Sequence, residues 1–426
     1  MTGLVSVAQG SRVVRVAREA DVDRLLEIHV AAFPDPRPIE VRRRVFQANR
    51  LGGFEHLRVV EQAGDVVAHA FSFPIGVWIG GAPVRGSAVA SVGVAVEARG
   101  QGVAKALLGA IHDEAHVRGD AFTLLYPFRE GFYGALGYVP VARHRVLSVS
   151  PRAIPKGWNQ AAPGAIRRAT GDDRAELARV YRAAALRGTG FITRPDRAWE
   201  YDLVDERRQW LVLDAGRELS GYLCVRLHQS EPHARVRAEV HELVSSDDSV
   251  RRRLFAALRG LGDQVGDISV ALADDDPLHW AFVDADRDRS GTKEVEHAQG
   301  VINTGPMIRL VDPKTALLAR GYAADGSLDL AITGRGEGAG ETCFTLHVEN
   351  GVARVSSLAS RSETALGMSL ETLAAVAFGG LGMRDAQRLG WLGLPESASQ
   401  GDHAPQHLRA AADLLAIPAF FSVDAF

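Results

Sequence analysis

The sequence predicts a mixed α/β protein of three domains, the first two of which repeat one fold. Three observations carry this. The chain has 426 residues, too many for one ordinary core. A strand-and-helix pattern close to the N-terminus starts again after a Pro/Gly-rich stretch, with the same residue types at the same offsets. From Ile302 the pattern changes character once more.

The first domain is expected over residues 1–150. Val13-Val14-Arg15-Val16 reads as a short strand, and Asp21 as the N-cap of a helix through Leu25, Leu26 and Ile28. Phe33-Pro34-Asp35-Pro36 breaks that helix, and a second one follows from Ile39 to Ala48. Strands at Leu57 to Glu61 and Val66 to Phe73 flank the turn signal Ala63-Gly64-Asp65. Val77-Trp78-Ile79 and Val84 flank Gly80-Gly81. A strand at Phe122 to Tyr126 and another at Arg143 to Val149 complete the unit.

Pro151 to Pro163 reads as a linker. After it, Ile166-Arg167-Arg168-Ala169 with Asp173, Leu177 and Val180 repeats Val14-Arg15-Val16-Ala17 with Asp21, Leu25 and Ile28. Residues 164–300 are therefore expected to be a second copy. Its strands are Trp210 to Leu213, Gly221 to Leu227 and Ala238 to Val244, with a helix from Val250 to Gly260. The third domain, 301–426, carries a helix at Pro313 to Ala319, a strand at Leu328 to Ile332 and a hairpin across Glu349-Asn350-Gly351. Helices follow at Leu370 to Phe378, Arg384 to Leu389 and Pro405 to Leu415.

Composition narrows the function classes. A net charge of −3 gives no support for nucleic-acid binding. The runs Arg42-Arg43-Arg44 and Arg251-Arg252-Arg253 read as solvated helix faces. Two distant cysteines, Cys224 and Cys343, exclude a disulfide framework and give no support for a zinc site, so no metal is expected. No stretch has the length of a signal peptide or a membrane span, and a cytoplasmic location without membrane partners is expected.

The chemistry concentrates between Val92 and Tyr138. Val92-Gly93-Val94-Ala95-Val96 reads as a buried strand, and Leu107, Leu108, Ile111 and Ala115 stand at helical spacing. Between them lies Arg99-Gly100-Gln101-Gly102-Val103-Ala104. Glycines there let the backbone approach an anion, and the N–H groups of a helix start favour a phosphate. The second copy has Ser245-Ser246-Asp247-Asp248 at this point, and two carboxylates repel a pyrophosphate. Only the first copy is expected to bind the ligand.

The R-G-x-G-x-A loop resembles the acetyl-CoA pyrophosphate loop of the GCN5-related N-acetyltransferases (GNAT). Phe132-Tyr133-Gly134-Ala135-Leu136-Gly137-Tyr138 is similar to the segment that follows in those enzymes. Two such copies plus a smaller α/β domain resemble the Eis (enhanced intracellular survival) family over essentially the whole chain. That resemblance implies two tandem GNAT folds plus a C-terminal sterol-carrier-protein-like domain. It implies acetyl-CoA as co-substrate, a small-molecule amine acceptor of aminoglycoside or polyamine type, and a homohexamer. Backbone groups of Val92 and Val94 match those that pair with pantetheine and acetyl carbonyls. Arg99, Gly100, Gly102 and Val103 match the pyrophosphate loop. Tyr133 matches the general acid, and the α-carboxylate of Phe426 the general base. Phe33, Asp35 and Trp199 match acceptor-pocket residues.

The sequence departs from the family in places. A second arginine is usual where Gly100 stands. The penultimate acid is Ala425 here, with Asp424 one step earlier. An aromatic usual at Val45 is displaced to Phe46, and Phe128 replaces a small polar residue. By residue type alone, Tyr133 and Trp199 also fit core aromatics, Asp35 fits a turn residue, and Phe426 beside Phe420 and Phe421 fits an anchoring plug. Three readings result: an aminoglycoside or polyamine N-acetyltransferase using direct transfer, a protein-lysine or small-amine acetyltransferase, and a coenzyme- or lipid-binding module with little turnover.

Overall fold

The computed structural model describes residues 12–34, 37–216, 218–229, 234–282, 299–335, 340–393 and 404–424. The chain divides into two compact units. One comprises Met1–Val141 and Pro306–Ile417, the other Ala142–Gly305 and Pro418–Ala425.

In the first unit, strands β1 (Arg12–Val16), β2 (Leu57–Gln62), β3 (Asp65–Ile79), β4 (Ala82–Val94), β5 (Phe122–Leu125) and β6 (Val139–Pro140) form a sheet. Strand β14 (Met307–Leu310) joins it from far down the chain, giving the order β1-β2-β3-β4-β5-β14-β6. Helices α1 (Val22–Ala32), α2 (Ile39–Gln47), α3 (Val103–Arg118) and α4 (Glu130–Gly134) accompany it. Helix α3 turns Leu107, Leu108, Ile111 and Ala115 inward, all fully buried, as their spacing predicts.

The second unit holds β7 (Arg143–Val149), β8 (Ala165–Arg168), β9 (Arg208–Asp214), β10 (Leu219–His228), β11 (Val236–Ser245), β12 (Val265–Leu272) and β13 (Gly300–Thr304). Their order is β13-β7-β12-β11-β10-β9-β8. Helices α5 (Arg174–Ala185), α6 (Asp196–Leu203) and α7 (Asp248–Ala256) belong to it.

A third sheet, within the first unit, has the order β17-β16-β15-β18-β19. Its strands are β15 (Gly326–Thr333), β16 (Glu341–Glu349), β17 (Val352–Ser357), β18 (Leu366–Ser369) and β19 (Leu392–Gly393). It comes with α8 (Pro313–Ala319), α9 (Leu370–Ala377), α10 (Met383–Arg388) and α11 (Ala404–Leu415). Buried Arg320 donates to the carbonyls of Ala377 and Leu415, the last residues of α9 and α11. It uses the negative helix ends in place of a carboxylate, and burial pushes it down to about 10.

The repeat is visible atom by atom. Arg15 pairs with Asp21, which also accepts the Arg18 N–H, and with Glu61 on the next strand. Arg167 pairs with Asp173, which also accepts the Thr170 N–H, and with Asp214 on the next strand. Asp21 thus fixes the strand-to-helix turn and does not cap α1 itself.

The hairpin signals hold for a conformational reason. Ala63-Gly64, Gly80-Gly81 and Asn350-Gly351 all have positive φ at both positions, as the tight turns between twisted strands require.

Other expectations are corrected. Asp65 to Ile79 is one strand despite Pro74, because β2 begins only at Leu57, opposite Phe71, and gives β3 no strand partner on that side at the proline. The expected linker is packed: Ile154 and Ala162 are buried, and Trp158 packs edge-on against Phe255 and tilted against Phe282. Arg143–Val149, expected to close the first domain, pairs with β12 and β13 in the second sheet. Strand β14 fills the place between β5 and β6. Alternation of apolar residues assigns a strand its face and not its partner. Arg42 is not solvated: it is buried and donates to the carbonyl of Phe33 at 2.8 Å.

Candidate active site

The site is built where β4 parts from β5. These strands run parallel with Gly86–Val89 beside Phe122–Leu125, and β5 then ends. Residues 90–94 continue past it. On the other side the register shifts, so that Phe71 pairs with Ala90 and His69 with Gly93. Ser91 sits at the shift with φ 50, a left-handed conformation that costs a non-glycine residue about 1–2 kcal/mol. The bulge and the missing partner open a cleft of ≈ 630 Å³, well within the range of small-molecule sites.

Seven of the expected residues come together here: Phe33, Val92, Val94, Arg99, Gly100, Gly102 and Val103 all line the cleft. Gly102 is the N-cap of α3 at φ 75, ψ 9, and no side chain caps this helix start. Gly100 has φ 75 as well. A Cβ at either position meets nothing within 4 Å, so the φ angle and not crowding selects glycine. No acid lies in the first turn of α3, while His116 and Arg118 lie in the last, which complements the dipole. The result is a turn of helix with open N–H donors, flanked by Arg99 and Lys105. The Arg99 guanidinium donates to the carbonyls of Val94 and Ala31, each at 3.2 Å, which holds the loop against β4 and α1.

The equivalent helix start of the second copy is closed. Asp247 caps α7, accepting from the N–H groups of Ser249 at 2.9 Å and Val250 at 3.0 Å. The Ser249 hydroxyl, then the Val250 N–H, hold its carboxyl down to about 2. The donors are consumed and the added charge is negative.

Tyr133, on α4, is buried behind the cleft wall formed by Phe128, Arg129 and Phe132. Its ring centroid lies 5.0 Å from Phe132 and 5.5 Å from Phe128. Burial pushes its phenol up to about 12, so it keeps its proton at neutral pH. The turn after it is held from the distant chain: Arg309 of β14 donates to the carbonyl of Leu136 at 3.1 Å, and Arg335 to that of Gly137. Arg335 sits where a Cβ on Gly137 would lie, 2.1 Å from its Nε, and Gly137 has φ 86. Sequence reasoning missed both arginines, since nothing local connects them with Tyr133. Under α3, His112 Nε2 meets the Tyr138 hydroxyl at 2.9 Å, and Thr123 donates to the same oxygen. Burial pushes His112 down to about 3.

Phe33 closes the end of α1, with His29 4.8 Å away. His69 is buried behind Gly93, where a Cβ would stand 2.6 Å from its Nε2. Burial, then the neighbouring His29, push His69 down to about 3. Asp35 and Phe426 lie outside the described residues.

Trp199 is placed in the second unit, buried in an aromatic core with Tyr181, Trp210 and Tyr222. Arg194 stacks on it at 4.3 Å and on Tyr181 at 4.4 Å. Arg194 also pairs with Glu242 at 3.0 Å and Asp424 at 2.8 Å. Burial alone would lower this guanidinium, but Asp424 and Glu242 hold it well above its usual value. Phe420 bridges to Thr189, and Gly190 leaves space for the Phe421 backbone, 2.6 Å from where a Cβ would lie. The tail is thus anchored by residues 230 positions earlier, a pairing the sequence pattern does not reveal.

Comparison with known proteins agrees with this geometry. Residues 13–141 match an acetyltransferase (GNAT) domain family, residues 190–310 a second one, and residues 313–419 a sterol carrier protein domain. No curated protein matches. Among solved structures, a GCN5-related N-acetyltransferase from Anabaena variabilis ATCC 29413 is similar over 97% of this chain and 100% of its own, with a TM-score of 0.79 and 18% identity. One from Kribbella flavida is similar over 98% of both chains, with a TM-score of 0.78 and 20% identity. Eis1 from Mycobacterium abscessus is similar over 97% of this chain and 100% of its own, with a TM-score of 0.72 and 21% identity. The chain is thus built of two acetyltransferase (GNAT) domains followed by a sterol carrier protein domain, in a fold similar to that of Eis1.

Proposed function

We propose that the first copy transfers acetyl from acetyl-CoA directly to the primary amine of a small molecule, of the aminoglycoside or polyamine kind. The observation that carries this is the pair of helix starts. One is open, glycine-lined and inside a cleft, while its counterpart is capped by Asp247.

In this reading the pyrophosphate lies against Arg99, Gly100, Gly102 and Val103, and the pantetheine arm follows β4 past Val92 and Val94. The amine nitrogen attacks the thioester carbonyl carbon. A carboxylate takes the amine's proton, and that of Phe426 is the candidate; any desolvation there would raise its basicity. Backbone N–H groups of β4 support the oxyanion. The C–S bond then breaks and Tyr133 gives its proton to the departing thiolate. Phe33 and Asp35 are the candidates for orienting the acceptor. No covalent acetyl-enzyme is required, and burial pushes both thiols, Cys224 and Cys343, up and away from thiolate character. We place the reaction in the cytoplasm, in a homohexamer.

A second reading, a lysine or small-amine acetyltransferase, is favoured by the cleft lining. Among the described residues that line it, Arg99, Lys105 and Arg129 are cationic and none is a carboxylate. A polycation is poorly matched to such a wall. Free-thiol release from acetyl-CoA, measured against aminoglycosides, polyamines and lysine peptides, decides between them. A chain lacking Phe426 goes through the same panel. Turnover of any amine with loss on deletion supports the terminal carboxylate. Turnover that survives deletion places the base elsewhere, and no turnover with any amine removes the transferase reading.

A further inference from the structure

The sheet of the second unit carries a constellation that acetyl transfer does not use. His228 ends β10, while Glu239 and His241 stand two residues apart on β11. Across the antiparallel ladder Arg226 faces Glu239 and His228 faces Arg237, so His228 and Glu239 share one face on a diagonal. The register then slips: Val225 pairs with Val240 and Cys224 with Glu242, leaving His241 as the extra residue of a bulge. Bulges re-aim side chains, and this one turns His241 toward Glu239. Nε2 of His228 lies 2.6 Å from Glu239 Oε2, and Nε2 of His241 lies 3.6 Å from the same oxygen. All three donor atoms fall within 4.8 Å of one another. His241 Nε2 is buried without a hydrogen-bond partner.

We propose that His228, Glu239 and His241 bind one divalent transition-metal ion, zinc foremost. Two residues at i and i+2 of one strand and a third from its neighbour give three donors on one face, with a fourth position open to solvent. Tetrahedral zinc with bonds near 2.0–2.1 Å sets its donors about 3.4 Å apart, and the distances of 2.6 and 3.6 Å straddle that spacing. The donor set excludes the hard cations. Calcium and magnesium need several oxygens, and only one carboxylate is offered. Arg226 opposite Glu239, and Arg208 opposite Arg226, make the face electropositive. Affinity there comes from imidazole nitrogen bonds and not from net negative charge, which selects borderline ions. Binding ties the end of β10 to β11, beside the bulge that precedes Glu242. The ion sits in the copy whose helix start is closed, so it is independent of the acetyl-transfer reading.

The test is equilibrium binding of zinc chloride to the full chain after chelator treatment, with cobalt(II) as a spectroscopic substitute. The expected result is one zinc per chain and cobalt absorption bands of a four- or five-coordinate site. His228→Asn and His241→Asn each weaken binding by at least about 10–100-fold, the scale on which even outer-shell changes act. His116→Asn, at an exposed position on α3, leaves it unchanged. Thermal midpoints in chelator report whether the variants are folded. Binding retained in the double variant H228N/H241N, or no zinc bound by the native chain, overturns the proposal.

Discussion

Replacing Gly102 by Asp would give the first copy the cap that the second already has. Position 102 has φ 75, and an added Cβ meets nothing within 4 Å. Aspartate visits this left-handed region, so the folding cost is about 1 kcal/mol. The carboxylate would accept the N–H groups at the start of α3, as Asp247 does with Ser249 and Val250. A bound phosphate is taken to lie about 5 Å from it. Two unit charges at that distance, at an effective dielectric near 20, repel by about 3 kcal/mol, or roughly 150-fold in Kd. Solvent screening in an open cleft reduces this to at least about tenfold. Titration calorimetry with acetyl-CoA measures it, and the reference variant Gly102→Ala keeps the strain without the charge. If Gly102→Asp is folded and binds acetyl-CoA within threefold of Gly102→Ala, the helix start is not the phosphate site.

Tyr133→Phe should lower kcat by about 10²–10⁴-fold, the range for a positioned proton donor, with acetyl-CoA affinity unchanged; steady-state kinetics beside calorimetry separates the two. The phenol raised to about 12 also has a linkage consequence. Its stabilising contribution is complete below pH 10 and is lost as pH rises from 10 toward 12, so the native chain should lose stability relative to Tyr133→Phe over that window in urea titrations. His69 and His112, both held to about 3 by burial, act in the other direction. Unfolding takes up protons at both between pH 6.5 and 3, so each removes about 1.4 kcal/mol of stability per pH unit of acidification. His112→Gln should flatten the acid limb, and an unchanged limb contradicts the assignment. Asp424→Asn leaves Arg194 with one carboxylate in a buried core and should destabilise the second unit by about 3–5 kcal/mol; a loss below 1 kcal/mol in denaturant unfolding would mean the tail is not anchored there.

What the sequence made legible was local. The glycine loop, the three two-residue turns and the Arg15–Asp21 pattern with its Arg167–Asp173 echo each depend on residues a few positions apart. Their conformations follow from φ preferences and short-range ion pairs. The closed helix start of the second copy was readable from Asp247 for the same reason, although the cap, more than the charge, closes it. Contacts that join distant segments were hidden. Strands β7 and β14 look like any alternating strand, and only pairing shows which sheet takes each. Ile154, Trp158 and Ala162 were disguised by the prolines and glycines around them. Arg194 and Asp424 come from the two separate segments that make up the second unit. The two histidines of the proposed metal site meet only once β10 and β11 are paired. Counting cysteines could not have found them.

The first copy alone should bind the coenzyme. This is tested most directly by the stoichiometry of acetyl-CoA binding to the full chain, by calorimetry, for the native protein and Gly102→Asp. One acetyl-CoA per chain is expected, with that binding weakened at least about tenfold in the variant. Two equivalents per chain, or one that the variant leaves intact, would contradict it.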